Sequence, residues 1–173
     1  MGTTATQSLR LFTALWPDAA TASAIADWQA AWQWPAQASR SRPERLHITL
    51  HFLGNVAASR VAELVEGLRV PFDPFSIAFG TGEVWPNGVA VLLPSEPQPA
   101  LTRLHGRLGQ AVRELQLPVD ERPYRPHVTL ARRARGAPPP PTGADLRWRV
   151  AGGYVLARSL PGGAGYEILH RFG

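Results

Sequence analysis

The chain of 173 residues has no cysteine, no lysine and one methionine. Without cysteine it holds no disulfide, no thiolate nucleophile, no iron–sulfur cluster and no zinc ribbon. Nothing in it asks for an oxidising compartment. Without lysine it cannot carry the G-x-x-x-x-G-K-[ST] phosphate loop. The G-x-S-x-G turn that serves a serine nucleophile is missing as well. No stretch approaches the ~18 consecutive apolar residues of a membrane span. The opening MGTTATQSLRLFTALW lacks a basic patch followed by an apolar run of about 7–15 residues, so no secretory leader is expected. These absences predict a soluble, cytoplasmic protein.

An apolar fraction of 45% with 18% charged residues suits a folded globular chain and argues against disorder. The length fits a single domain over residues 1–173, or two small lobes sharing a core. All 18 basic side chains are arginine. Six arginines and seven acids precede residue 87, and twelve arginines and six acids follow, so the net charge of +5 arises in the second half. A general exchange of lysine for arginine explains the missing lysines but not this asymmetry. Arginine is also the side chain suited to bidentate recognition of phosphate.

Alternation over residues 8–16, 45–53, 74–80, 89–94, 124–133, 148–156 and 166–172 predicts seven strands. Helical spacing predicts three helices, over 18–32, 59–68 with Ser59 as cap, and 97–117. Trp28 and Trp32 fall on the apolar stripe of the first helix and Phe52 on the buried parity of its strand, so all three are expected in the core. GAPPPPTG at 136–143 reads as an exposed loop. The interleaving predicts an α+β, mostly antiparallel fold.

Two segments carry the chemistry: Arg45-Leu46-His47-Ile48-Thr49-Leu50 and Arg125-Pro126-His127-Val128-Thr129-Leu130. Both read R-x-H-aliphatic-T-L, 80 residues apart. With this histidine and threonine content chance supplies about 0.3 His-x-Thr tripeptides. On a strand, His47 and Thr49 project from one face and Ile48 and Leu50 from the other, and the second copy does the same with His127 and Thr129. Two such strands facing each other form one pocket with two imidazoles and two hydroxyls. That arrangement suits in-line displacement at phosphorus, with a base on the attacking oxygen and an acid on the leaving oxygen. Hydroxyls and arginine would hold the non-bridging oxygens. A metal site built on His47, His51 and His127 is disfavoured, because neither motif holds an acid.

HITLHFLG at 47–54 and RPHVTLAR at 125–132 resemble the paired H-x-T signatures of the 2H phosphoesterase superfamily, and most nearly its RNA 2′,3′-cyclic phosphodiesterase (2′-5′ RNA ligase) family. The opening RLFTALWP and the closing SLPGGAGYEIL extend the likeness nearly end to end. The resemblance implies two pseudo-symmetric lobes, each an antiparallel sheet with outer helices, around a central cleft. It implies hydrolysis of a 2′,3′-cyclic phosphate to a 2′-phosphate with no metal and no cofactor, and reverse 2′-5′ joining. His47 would protonate the departing O3′ and His127 would activate water, although the pseudo-symmetry leaves the two roles interchangeable. Thr49 and Thr129 would donate to phosphate oxygens. Arg132 matches a phosphate-contacting arginine of the family, yet strict alternation turns it away from His127 unless the strand bends near Ala131; Arg125 is the candidate otherwise. Arg45 stands where the family has a small polar residue, and no role is assigned to it.

Arg122, Arg125, Arg132, Arg133 and Arg135 surround the second motif, a rim that would attract an RNA backbone. Tyr124 and Trp85 are candidate platforms for a base, whereas His105 and His170 are expected to be structural or exposed. The expected partner is RNA with a 2′,3′-cyclic phosphate end, or a related nucleotide, bound by a monomer without protein partner or membrane. The alternatives are a non-catalytic RNA-binding module, or a phosphodiesterase acting on 2′-5′ oligoadenylate or a cyclic nucleotide metabolite.

Overall fold

The computed structural model describes residues 6–173; the first five residues of the segment read for a leader lie outside that range. The described residues form nine strands: β1 (Ser8–Leu15), β2 (Ser39–Arg40), β3 (Ile48–Ala57), β4 (Phe75–Val84), β5 (Ala90–Pro94), β6 (Val128–Arg132), β7 (Leu146–Val150), β8 (Tyr154–Ser159) and β9 (Tyr166–Phe172). Three α-helices accompany them: α1 (Ala19–Ala30), α2 (Val61–Gly67) and α3 (Pro99–Glu114).

The strands form one antiparallel sheet in the order β7-β4-β5-β6-β3-β1-β8-β9, with β2 added on β6. The sheet divides naturally into two four-stranded halves, β3-β1-β8-β9 and β7-β4-β5-β6. Among the described residues they are joined strand to strand only where Ile48 of β3 pairs with Val128 of β6. Each residue of that pair is the x of an H-x-T motif, so the two motifs meet at the seam. This is the α+β antiparallel architecture expected, with two lobes.

One face of the sheet carries the core. α3 buries Leu101, Leu104, Leu108 and Val112 at helical spacing. Asp18 caps α1 by accepting the Thr21 N–H at 2.7 Å. Trp32 (4% exposed) and the half-buried Trp28 abut Gly82 of β4, where a Cβ would run into the Trp32 ring. The helices cross over: α1 follows β1 but packs on the half containing β4, β6 and β7, and α3 follows β5 but packs on β3.

Boundaries differ from the sequence reading in three informative places. The strand expected over 148–156 is two strands, because Gly153 (φ +80°) turns the chain between them. A Cβ there would overlap the Phe172 carbonyl oxygen. Helix α2 starts at Val61 after a 3₁₀ turn, and Ser59 does not cap it. Strand β3 starts at Ile48 and runs past Gly54 to Ala57, with two bulges inside it. No helix among the described residues is long and apolar enough to cross a membrane.

Candidate active site

Bulges decide which side chains reach the site. In β3 the pairing passes from Ala14–Thr49 to Thr13–His51, so Leu50 is the extra residue. In β6 it passes from Val91–Thr129 to Ala90–Ala131, and Leu130 is the extra residue. The two motifs therefore carry the same bulge at the same position, three residues after the histidine. Each bulge inverts the alternation that follows it.

In the first motif the inversion buries His51 on the core face against α3 and brings Phe52 out into the cleft, 66% exposed. This corrects the expectation of a core Phe52, and it separates His51 from His47. In the second motif the inversion turns Arg132 to the side of His127 and Thr129, which resolves the parity conflict. The residues five positions after each histidine are thus Phe52 and Arg132. They occupy pseudo-equivalent places and differ wholly in chemistry. A second bulge in β3 lies at Leu53-Gly54, where Gly54 takes φ +77°, and it brings Asn55 back to the cleft face.

Polar side chains pin both bulges. Thr13 Oγ1 accepts the His51 N–H (3.1 Å). The buried Gln29 of α1 donates through Nε2 to the carbonyls of Leu130 (2.7 Å) and Ser41 (2.9 Å), and the Ser41 N–H also donates to Leu130 (2.8 Å).

His47, Thr49, His127, Thr129 and Arg132 line one cavity of about 780 Å³. Arg10, Arg40 and Arg45 line it too, with Phe52, Asn55 and Tyr166, and among the described residues no acidic side chain does. A second hollow of about 540 Å³, around Gly80, Ser95 and Gly143, holds no histidine. Both cleft imidazoles are held alike. His47 Nδ1–H donates to the Arg45 carbonyl and His127 Nδ1–H to the Arg125 carbonyl, each at 2.7 Å. A carbonyl only accepts, so Nδ1 carries the proton and Nε2 is the free nitrogen on both rings.

Burial pushes the His47 pKa down to about 4; the bond to the Arg45 carbonyl opposes this, and the charges of His127 and Arg132 add to it. The His127 pKa is lowered by burial as well, opposed by the Arg125 carbonyl, with Arg125 and Arg132 reinforcing the drop. Both imidazoles are therefore neutral at pH 7. An anionic phosphate between them reverses that preference for one ring.

Aromatic rings wall the His47 side. Trp16 stacks on His47 (4.8 Å, 7° between planes), Tyr166 meets it edge-on (5.0 Å) and Phe12 lies 5.3 Å away. Sequence reasoning placed none of these three at the site, although Tyr166 sits in the closing segment that resembles the family. The Arg45 guanidinium donates to the carbonyls of Gly163 (3.2 Å) and Ala164 (3.0 Å), fixing the β8–β9 loop that carries Tyr166.

Two expected site residues are placed elsewhere. The Tyr124 ring stacks on His105 (3.8 Å) and its hydroxyl donates to the Thr49 carbonyl (2.9 Å), so it is no open platform for a base. The Arg125 side chain pairs with Glu83 (3.5 Å) and lies over Trp85 (4.9 Å), outside the cavity lining. Trp85 has one face under Arg125 and meets the His127 ring edge-on at 4.6 Å.

A two-half antiparallel sheet with an H-x-T strand from each half, meeting over one cleft, defines the 2H phosphoesterase class. Residues 16–157 match the family model of the 2′-5′ RNA ligase superfamily, and the chain belongs to that family. The chain is 34% identical over 144 residues to an RNA 2′,3′-cyclic phosphodiesterase of Thermus thermophilus, covering 75% of this chain and 72% of that one. To a protein of the same name from Bacillus subtilis it is 38% identical over 101 residues, 54% of this chain and about half (55%) of the relative. Among solved structures it is similar to E. coli LigT complexed with 3′-AMP, with a TM-score of 0.80 and 26% identity over 96% of this chain and 98% of that chain.

Proposed function

We propose that the protein hydrolyses 2′,3′-cyclic phosphate ends of RNA to 2′-phosphates by general acid–base catalysis, without metal or cofactor. One observation carries this reading: two imidazoles, oriented by identical Nδ1–carbonyl bonds, offer their free Nε2 atoms to one arginine-lined cavity. The names of the relatives support the choice of substrate.

The asymmetry between Phe52 and Arg132 gives the substrate a direction. The nucleoside lies on the aromatic side, against Phe52, Phe12 and Tyr166, and its ribose faces His47. Arg132, Thr49 and Thr129 hold the non-bridging oxygens. Water attacks phosphorus from the His127 side, and His127 Nε2 takes its proton. The P–O3′ bond breaks opposite the new P–O bond, and the departing O3′ receives its proton from His47 Nε2. A 2′-phosphomonoester with a free 3′-hydroxyl remains, and proton exchange with solvent resets the two rings. The same geometry, with the 5′-hydroxyl of a second strand in place of water as nucleophile, O3′ again leaving and O2′ as the retained ester, forms a 2′-5′ link. Part of the same proposal is that the protein acts as a cytoplasmic monomer needing no protein partner.

The test is turnover of a short RNA ending in a 2′,3′-cyclic phosphate, with chelator present, by the wild type, His47→Ala and His127→Ala. The expected result is a 2′-phosphate product and losses of about 10²–10⁴ in kcat for each variant. No wild-type turnover together with salt-dependent RNA binding would replace the enzyme with a binding module. A loss on chelation that zinc restores would overturn metal independence.

A further inference from the structure

The cavity extends well beyond the two motifs, along the half built on β1, β3 and β8. The register orders its cleft-facing side chains in rows. Ala14 of β1 pairs with Thr49 of β3, at the place of the reacting phosphate. The next cleft-facing row is Phe12, paired with Phe52 on one side and Ala157 on the other. The row after that is Arg10, paired with Asn55 of β3 and with Ser159 of β8. Arg10, Asn55 and Ser159 all line the cavity.

The order is therefore hydroxyl and imidazole, then aromatic, then guanidinium, amide and hydroxyl together. Four residue steps of strand lead from Ala14 to Arg10, about 13 Å of backbone, and the long Arg10 side chain spans part of that gap. Tyr166, the cross-strand partner of Ser159, turns its ring back towards Phe12 and His47, so the aromatic wall leads directly to the polar row. Among the described residues Arg10 makes no ion pair, and none of the three side chains has a hydrogen-bond partner. Arg45 contrasts with them, since its guanidinium is already committed to two loop carbonyls.

A nucleotide repeats the same order. Next to the cyclic phosphate comes the nucleoside, and beyond it the phosphate on its 5′ carbon. We propose that Arg10, Asn55 and Ser159 form a second phosphate subsite, which binds the phosphodiester on the 5′ side of the terminal nucleoside. The row reads a phosphate and no base, so it favours an oligonucleotide over a nucleoside cyclic phosphate without preferring a sequence. This inference rests on the hydrolysis proposed above, and it adds the residues that measure substrate length.

The experiment compares kcat/KM for three substrates, each ending in the same nucleoside 2′,3′-cyclic phosphate. The first has a 5′-hydroxyl, the second a 5′-phosphate and the third a second nucleotide joined through a phosphodiester. For the wild type, the two phosphate-bearing substrates should exceed the first by about 10–100-fold, as one charge-assisted contact allows. In Arg10→Gln that ratio should fall close to one, and in Asn55→Ala it should fall by a smaller factor. The wild-type salt dependence should be steeper for the dinucleotide than for the 5′-hydroxyl substrate, by a slope of about one, and Arg10→Gln should erase the difference. A dinucleotide favoured over the 5′-phosphate identifies an internucleotide diester as the ligand; equal preference identifies any 5′ phosphate, and both support the subsite. Equal wild-type rates on all three, or a preference that survives Arg10→Gln, would overturn the subsite and leave the hydrolysis standing. Failure to turn over any of the three would overturn the hydrolysis and the subsite with it.

Discussion

His47 and His127 stand in matching motifs and are held by the same device, an Nδ1–H bond to the carbonyl of the arginine two residues earlier. Their lowered pKa values place both below the ordinary 6.5 of histidine. The form competent for acid–base work has one ring charged and one neutral, so it peaks between the two pKa values. The optimum of kcat/KM, which reports the free enzyme, should therefore lie on the acid side of pH 6.5. The kcat optimum should lie at higher pH, because bound phosphate raises the pKa of the ring it charges. Rate profiles on one substrate check both. Phe52→Ala should raise KM several-fold and leave the melting temperature within a degree or two, since the ring is 66% exposed and contributes little to the core. A large loss of stability would mean that Phe52 belongs to the core after all.

At the scale of the element, the decisive features are the bulges. The H-x-T pairing, the antiparallel class and the apolar stripe of α3 were all legible, because each follows from residue type and period. The bulges at Leu50 and Leu130 were not, since leucine fits a regular strand as well as a bulged one and nothing local marks the extra residue. What opposed strict alternation was the parity conflict at Arg132, and the same reasoning was open at Phe52. Gln29 escaped notice because the partners that need a buried amide, the carbonyls of Leu130 and Ser41, lie far off in sequence or across a loop. Gln29→Leu leaves those carbonyls short of a donor and should cost about 1–3 kcal/mol in denaturant unfolding. It should also lower kcat, because the bulge that aims Arg132 loosens. Gly54→Ala meets no atom within 4 Å, so its cost is the positive φ alone, about 1–2 kcal/mol. A neutral Gly54→Ala would show that the bulge can relax.

Across the whole molecule, four histidines have depressed pKa values: His47 and His105 at about 4, and His51 and His127 lowered, burial being the first cause each time. The unfolded chain binds protons on these rings near pH 6.5 and the folded chain does not. Their contribution to stability is present above pH 6.5 and is lost as pH falls towards 4. His47 alone accounts for about 3 kcal/mol over that window, about 6–12 °C in melting temperature for a chain of this size. Thermal melts from pH 7.5 to 4.5 should show the decline. Phosphate should lessen it, by favouring the charged form of His47 or His127 in the folded state. A melting temperature constant over this range would mean that the rings are solvated and freely charged.

The crossing of the helices bears on how the chain unfolds. α1 belongs by sequence to the half that holds His47 but packs on the half that holds His127, and α3 does the reverse. Each half thus borrows its cover from the other, and neither owns a complete interior. A cut in the β4–β5 turn near Asn87 would yield two fragments, each carrying the helix its partner needs. Neither fragment should be ordered alone, while the two mixed together should reassemble with both imidazoles in one cleft. A cleft whose two histidines come from separate halves is in this way made all or none: a chain that has folded only in part holds no half-formed site.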